Sequence, residues 1–326
     1  MGFIGSNFIR YMLSSDKDIE VINLDSLSSG SNPNNLKDVK NNRRYKFIKG
    51  SINNLPLVSK LVKEVDMIVN FAAETHVDRS ISNPKPFFES NTLGTFSLLE
   101  AAKNCAVRFL QVSTDEVYGD ITKGSFREED RLRPSNPYSA SKAAADEFVF
   151  AYHRTYGLDA LITRSTNNFG PYQFPEKLVP KTILRASMGL KIPIYGSGKN
   201  VRDWIYVLDH CEALRIVLEK GKSGEIYNIS SHNEYENIEV VRKILELMGK
   251  DDSLIEFVED RPGHDIRYSL DSSKLNNLGW RPKYDFEKAL EQTVKWYLEN
   301  KWWWKPIVTE EVLHPTPWKL DIEKST

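Results

Sequence analysis

The sequence predicts an α/β fold, a doubly wound parallel sheet with helices on both faces and a smaller mixed domain behind it. Three observations carry this. Short apolar runs at residues 19–24, 45–49, 67–71, 107–112 and 160–164 alternate with helical patterns at 3–13, 55–64, 86–104 and 138–156. Strands separated by helices build parallel sheets covered on both faces. Two glycines open the first helical pattern, an acid closes the strand after it, and beyond residue 170 the alternation gives way to shorter elements.

Gly2-Phe3-Ile4-Gly5 starts a helix whose apolar face is Phe3, Ile4, Phe8, Ile9, Met12 and Leu13. The strand that follows ends in Asp25, 20 residues after Gly5. Glycines, helix, strand and acid are the back half of a dinucleotide fingerprint. Glycine lets the backbone approach a pyrophosphate, which rests on the free N–H groups of the helix start. Asp25 suits ribose hydroxyls and repels a 2′-phosphate, so NAD is favoured over NADP. In this Rossmann-type order a central strand precedes the glycine loop, and none precedes Met1 here. The expectation is that the first strand is missing and that the natural chain begins roughly eight residues upstream. Ladder groups of its neighbours would then go unpaired, at about 1–3 kcal/mol for each buried group.

After the strands at 45–49 and 67–71, Pro84 or Pro86 opens a long helix to Asn104. The strand at 107–112 delivers Thr114, Asp115 and Glu116 to its C-terminal end, the edge where open parallel sheets bind ligands. Residues 138–156, alanine-rich and preceded by Pro137, form a helix that places Tyr138 and Lys142 one turn apart on one face. An NAD-binding domain is expected over 1–170 and a mainly substrate-binding domain over 171–326, with some later segments returning to the first. Short elements there pass through Ile194, Trp204, Ile226, Val240, Ile255 and Leu275.

With 326 residues the chain is long enough for two joined domains, and a net charge of −1 gives no electrostatic reason to expect nucleic acid or a membrane surface as partner. No apolar run reaches the roughly 18 residues that span a bilayer. The two cysteines, Cys105 and Cys211, fall in segments that read as helix. They suit buried packing in a reduced, cytoplasmic protein. No metal site is expected.

An acid beside a base of different pKa suits elimination of water, and a Tyr–Lys pair suits hydride chemistry on an alcohol. For Tyr138 to act as base near neutrality its hydroxyl must fall about three pKa units, roughly 4 kcal/mol. Lys142 and an oxidised nicotinamide ring are the charges expected to lower it.

Gly2-Phe3-Ile4-Gly5, Ala72-Ala73-Glu74-Thr75-His76-Val77-Asp78-Arg79-Ser80, Thr114-Asp115-Glu116, Tyr138-Ser139-Ala140-Ser141-Lys142, Asn167-Asn168, Pro175-Glu176-Lys177-Leu178, Arg202-Asp203-Trp204 and Asp260-Arg261-Pro262-Gly263-His264-Asp265 together resemble the extended short-chain dehydrogenase/reductases. Within these they resemble the dTDP-glucose 4,6-dehydratases over nearly the whole chain. The resemblance implies a cycle on a nucleotide-activated glucose. Tyr138 takes the C4 hydroxyl proton as C4 is oxidised by NAD, with Thr114 bonded to the same oxygen. Glu116 then removes the C5 proton while Asp115 protonates the departing C6 hydroxyl, and the hydride returns to C6. The 4-keto-6-deoxy product is a precursor of deoxysugars such as rhamnose. A UDP-glucose 4,6-dehydratase, a nucleotide-sugar 4-epimerase and a non-catalytic NAD or nucleotide-sugar binding protein are the competing readings.

The resemblance also assigns binding roles. Gly2, Phe3, Ile4, Gly5, Asp25, Ser26, Leu27 and Ser28 match cofactor positions, as do Ser51, Ile52, Phe71, Ala72, Ala73, Glu74, Thr75, Ser90, Tyr138, Lys142 and Asn168. Substrate positions are Thr75, His76, Thr114, Asn167, Lys177 and Leu178, with Pro193, Tyr195, Arg202, Asn228, Arg261 and His264. Arginine is expected to fork its hydrogen bonds onto a diphosphate and lysine to act as a point charge. Ser51 stands where the family usually places aspartate beside the adenine, so weaker adenine recognition is expected. Trp302-Trp303-Trp304 reads as packing for the C-terminal tail and residues 127–131 as a solvated charged loop. The resemblance further implies a homodimer, paired through the helices at 86–104 and 138–156.

Overall fold

A computed structural model describes residues 1–320. In chain order the first elements are α1 (Phe3–Ser15), β1 (Val21–Asp25), β2 (Tyr45–Lys49), α2 (Leu55–Leu61), β3 (Met67–Asn70), α3 (Val77–Ser82), α4 (Lys85–Phe87), α5 (Gly94–Ala102) and β4 (Arg108–Thr114). Then come α6 (Pro137–Tyr156), β5 (Asp159–Ser165), β6 (Asn167–Phe169), α7 (Leu178–Ser187), β7 (Ile192–Tyr195), β8 (Val201–Tyr206), α8 (Val207–Lys220) and β9 (Ile226–Ile229). The last are β10 (Glu234–Glu236), α9 (Asn237–Leu247), β11 (Ile255–Val258), α10 (Ser273–Asn277), α11 (Phe286–Glu299) and α12 (Lys301–Trp304).

The parallel α/β architecture is as expected. Strands β3, β4, β5 and β9 form one four-stranded parallel sheet, and β1 pairs in parallel with β2 in a separate ribbon. Among the described residues β1 pairs with β2 alone and β3 with β4 alone. β4 and β5 are buried almost throughout, as strands covered on both faces must be. Their outer faces pack into two cores. One contains Leu110, Leu161, Val217 and Tyr227 beneath α1 and α8; the other contains Phe109, Ile162, Leu99 and Val149 beneath α5 and α6. β9, far along the chain, closes this sheet against β5.

A third core, with Phe169, Trp204, Phe286 and Trp303, lies among α7, α9 and α11 over the β6–β8–β10 sheet. Trp303 and Trp304 are buried there, and the Trp303 indole donates to Asn35 Oδ1 at 2.7 Å, so this stretch packs the tail. Trp302 is exposed.

Two expectations are corrected. The helix expected at 86–104 runs over 85–102 and is not α-helical throughout: α4 passes through a π-helical segment, Phe88–Leu93, into α5. Cys105 lies beyond the end of α5 and is half-buried, whereas Cys211 is buried in α8.

Candidate active site

β4 ends at Thr114 and turns through one 3-10 turn, Asp115–Val117. The Thr114 hydroxyl accepts the Glu116 N–H at 3.3 Å and donates to Asp115 Oδ1 at 3.1 Å. Asp115 Oδ2 and Glu116 Oε2 are buried and have no hydrogen-bond partner in the protein. Buried polar oxygens are nearly always satisfied, so two bare ones in a single turn mark a place built to hydrogen-bond with a bound molecule.

The two carboxyls differ in surroundings. Burial, and then the neighbouring Glu116, push Asp115 well above the usual carboxylate range. Burial raises Glu116 as well, but Arg261, Arg202 and Lys177 all act to bring it down. One group is thus suited to hold a proton and the other to accept one, the arrangement acid–base catalysis requires.

The Tyr–Lys pair stands beside this turn. A capping box starts α6: Asn136 accepts the Ser139 N–H at 2.9 Å and Ser139 Oγ receives the Asn136 N–H at 3.2 Å, with Pro137 in the first turn. That cap fixes Tyr138 two residues on. Its N–H reaches Ser80 Oγ at 3.2 Å and its ring meets Phe87 edge-on, 6.3 Å between centroids. Lys142 Nζ donates to the Val112 carbonyl at 2.7 Å. Burial lowers its amine to about 8, against Asp146, which raises it.

In the protein chain alone the Tyr138 hydroxyl is not depressed. Burial, Glu116 and, more weakly, Asp115 and Asp146 raise the Tyr138 hydroxyl far above its ordinary value, with Thr114 opposing. Burial is the largest cause, and the Lys142 ammonium is turned to the Val112 carbonyl.

Apart from Gly2, just before α1, and Asn168, in β6, the residues assigned to the cofactor lie on the loops that follow β1, β2 and β3, and on α1, α6 and the π-helical segment. Gly2 precedes α1 with no side chain capping it, which leaves N–H groups free at the helix start near Phe3, Ile4 and Gly5. Asp25 Oδ1 accepts the Leu27 N–H at 2.7 Å, and its other oxygen meets the Met1 ammonium at 2.5 Å. Ser26 and Ser28 are exposed beside it. The Arg79 guanidinium reaches Ser29 Oγ at 2.9 Å, which brings the loop after β1 to the segment after β3. Phe71 packs on Phe8 of α1, and the Ala72 N–H donates to Asn70 Oδ1 at 3.1 Å. Ala73 and Glu74 are half-buried, while Thr75 is exposed. Ser51 is exposed and Ile52 half-buried after β2, and Ser90 is half-buried in the π-helical segment. Bare helix N–H groups, an accepting carboxylate at the end of β1 and the Tyr138–Lys142 pair on α6 are a set of groups that fits NAD.

Asn168 is not available to a cofactor through its side chain. Its amide donates to Ser165 Oγ and to the Thr166 carbonyl, and its oxygen faces His210 Nδ1 at 2.8 Å. Asn228 is likewise committed: Tyr118 donates to its oxygen at 2.9 Å and its amide donates to the Phe126 carbonyl at 3.1 Å. Its backbone N–H meets Glu128, so the charged run at 127–131 is only partly solvated.

At the other end of the site, Lys177 Nζ sits on the Thr75 carbonyl at 2.7 Å. Arg261 Nη1 meets Asp78 Oδ1 at 2.7 Å and the Tyr195 hydroxyl donates to Asp78 Oδ2 at 2.8 Å. His264 Nδ1 pairs with Asp260 at 2.6 Å. His76 is buried, and burial drops it to about 4 despite Glu176 and Asp78, so it is neutral. Asn167 and Leu178 are half-buried at the starts of β6 and α7, and Pro193 is buried inside β7. Arg202 departs from the expected fork: it donates to the Val201 carbonyl at 2.7 Å and the Asp265 carbonyl at 2.8 Å, and its guanidinium lies 4.3 Å from the centre of the Tyr268 ring. It remains a positive charge facing Asp115 and Glu116.

Sequence reasoning missed Asp146 and Asn91. Asp146 lies one turn beyond Lys142 and is paired with the buried Arg164 at 2.9 Å. Its spacing from Lys142 was the available signal. Asn91 spans Glu74 and Ser141, accepting the Glu74 N–H at 2.8 Å and donating to Ser141 Oγ at 2.8 Å. It sits in the π-helical segment, which no apolar period announces.

This fold and site define a dinucleotide-dependent short-chain dehydrogenase/reductase of the extended, sugar-nucleotide-modifying kind. The chain belongs to the family whose model is described as GDP-mannose 4,6 dehydratase, which matches residues 1–293. It is 49% identical over 325 residues to a dTDP-glucose 4,6-dehydratase of Xanthomonas campestris, covering 93% of this chain and 92% of that one. It is 52% identical over 298 residues to the low-salt glycan biosynthesis protein Agl12 of Haloferax volcanii, covering 91% and 96%. Among solved structures it resembles DesIV, a dTDP-glucose 4,6-dehydratase of Streptomyces venezuelae with NAD and TYD bound, at 47% identity and a TM-score of 0.92, covering 94% and 97%.

Proposed function

We propose that this chain converts dTDP-glucose to dTDP-4-keto-6-deoxyglucose and water, as an NAD-dependent hydro-lyase. The observation that carries the reading is the turn after β4, where a carboxyl suited to keep its proton adjoins one surrounded by cations, both with bare buried oxygens.

Tyr138 accepts the proton of the C4 hydroxyl, and Thr114 holds the same oxygen. NAD, when bound, would supply the hydride acceptor and donor, and its oxidised ring would add a positive charge to that of Lys142. A ketone at C4 acidifies the hydrogen at C5, and Glu116 takes it. Asp115 delivers its proton to the C6 hydroxyl as that group departs. Lys142, near 8, is largely ammonium at neutral pH and keeps a positive charge one turn from Tyr138. At the far end Lys177, Arg261 and His264 meet the nucleotide diphosphate. The cofactor role of the residues on the first loops, the division near residue 170, a cytoplasmic setting and supply of deoxysugar synthesis belong to the same reading. So does a homodimer, supported by Phe88, Leu93, Phe148 and Tyr156 exposed on the adjoining segment 85–102 and α6. No helix among the described residues is long and apolar enough to cross a membrane.

Incubation with dTDP-glucose or UDP-glucose in D₂O tests this. A 4-keto product with deuterium at C5 and no 6-hydroxyl, formed faster from dTDP-glucose, is expected. A product epimerised at C4 with its 6-hydroxyl intact would replace the dehydratase with an epimerase.

A further inference from the structure

Asp78 has no part in the chemistry described above, yet it is a buried carboxylate with both oxygens bonded to residues assigned to the substrate. It lies in the first turn of α3, 3% exposed in its side chain, directly after the loop that carries Thr75 and His76. Each oxygen has one strong partner. Oδ1 receives Arg261 at 2.7 Å from 183 residues away, and Oδ2 receives the Tyr195 hydroxyl at 2.8 Å from 117 residues away. Tyr195 ends β7, and Arg261 follows β11, the strand paired with β7. One side chain on α3 thus ties down the exits of both strands.

Arg261 shows why this matters. Its Nε is buried with no partner, so only the Asp78 contact fixes its plane among the contacts described. Two carboxylates act on its charge, Asp78 through the hydrogen bond and Glu116 without one. A planar guanidinium recognises phosphate only when its fork is aimed. Beside Asp78, the carboxylate that acts on Arg261 is the catalytic base, Glu116.

We propose that Asp78 is a positioning residue for the nucleotide end of the substrate, holding Arg261 and Tyr195 where a nucleoside diphosphate meets them and keeping Arg261 off Glu116. This rests on the nucleotide-sugar reading above. The alternative is that Asp78 only braces the fold, and the two differ in which ligand suffers.

The test measures dTDP and NAD binding separately by calorimetry on the full chain, with thermal melts alongside. Asp78→Ala should weaken dTDP by on the order of 10- to 100-fold, the worth of a charged hydrogen bond, and leave NAD affinity within about twofold. In turnover KM for dTDP-glucose should rise more than kcat falls. Asp78→Asn retains an acceptor for Arg261 and a donor for Tyr195, so it should fall between wild type and Asp78→Ala. Equal loss of both ligands, or unchanged dTDP affinity, overturns the proposal. If Asp78→Ala does not fold, Asp78→Asn decides by the same criterion. A wild-type chain that binds no dTDP removes this inference together with the reading beneath it.

Discussion

Asp115 and Glu116 are chemically near-identical and adjacent, so their division of labour comes from what faces them. Burial and a like charge beside it raise Asp115, whereas three cations oppose the effect of burial on Glu116. A carboxyl raised in the folded state gives its stability below its unfolded pKa and loses it as pH rises through the folded one. Ionised Asp115 therefore costs stability on the alkaline side. Asp115→Asn should raise Tm by about 2 °C or more at mildly alkaline pH and by less in mild acid, while dehydration falls by about 100-fold or more. A melt series across pH checks it; a variant less stable than wild type at every pH contradicts it. Those side chains were legible in the sequence as proton-transfer groups because the Thr-Asp-Glu triplet is contiguous. Arg202 was not: its charge was foreseen, but its commitment to the Val201 and Asp265 carbonyls depends on chain crossings that no local spacing reveals.

Elements were legible where local physics decides them. β2 occupies the residues expected, Tyr45–Lys49, and α6 starts one residue early because Pro137 takes the first helical position under the Asn136 cap. The π-helical segment between α4 and α5 was invisible, since its sequence keeps a helical apolar pattern and only the register of backbone hydrogen bonds changes. The cap matters beyond stability because Tyr138 follows it by two residues. Asn136→Ala should cost about 1 kcal/mol and lower kcat through a looser Tyr138, with NAD affinity little changed. Denaturant unfolding and steady-state kinetics test both halves, and an unaltered midpoint contradicts the first.

For the molecule as a whole, the sequence's α/β rhythm carries the sheet, but the return of β9 to β5 is a long-range pairing that periodicity cannot assign. The same limit hides the tail, where Trp303 crosses back to Asn35. The outer face of segment 85–102 and α6 leaves Phe88 59% and Tyr156 51% exposed, apolar surface that a second copy of the chain would cover. Phe88→Asp should convert a dimer to monomers in sedimentation velocity without loss of helix content. A wild-type chain that sediments as a monomer would contradict the dimer.

The central claim is that hexose oxidation at C4 precedes, and is separable from, removal of water by Glu116 and Asp115. Rapid mixing of Glu116→Gln, loaded with NAD, with dTDP-glucose tests this directly through the near-ultraviolet absorbance of reduced nicotinamide. The account predicts that the absorbance rises and persists, with no dehydrated sugar formed. Steady formation of the 4-keto-6-deoxy product at the wild-type rate, with no persistent absorbance, would contradict it.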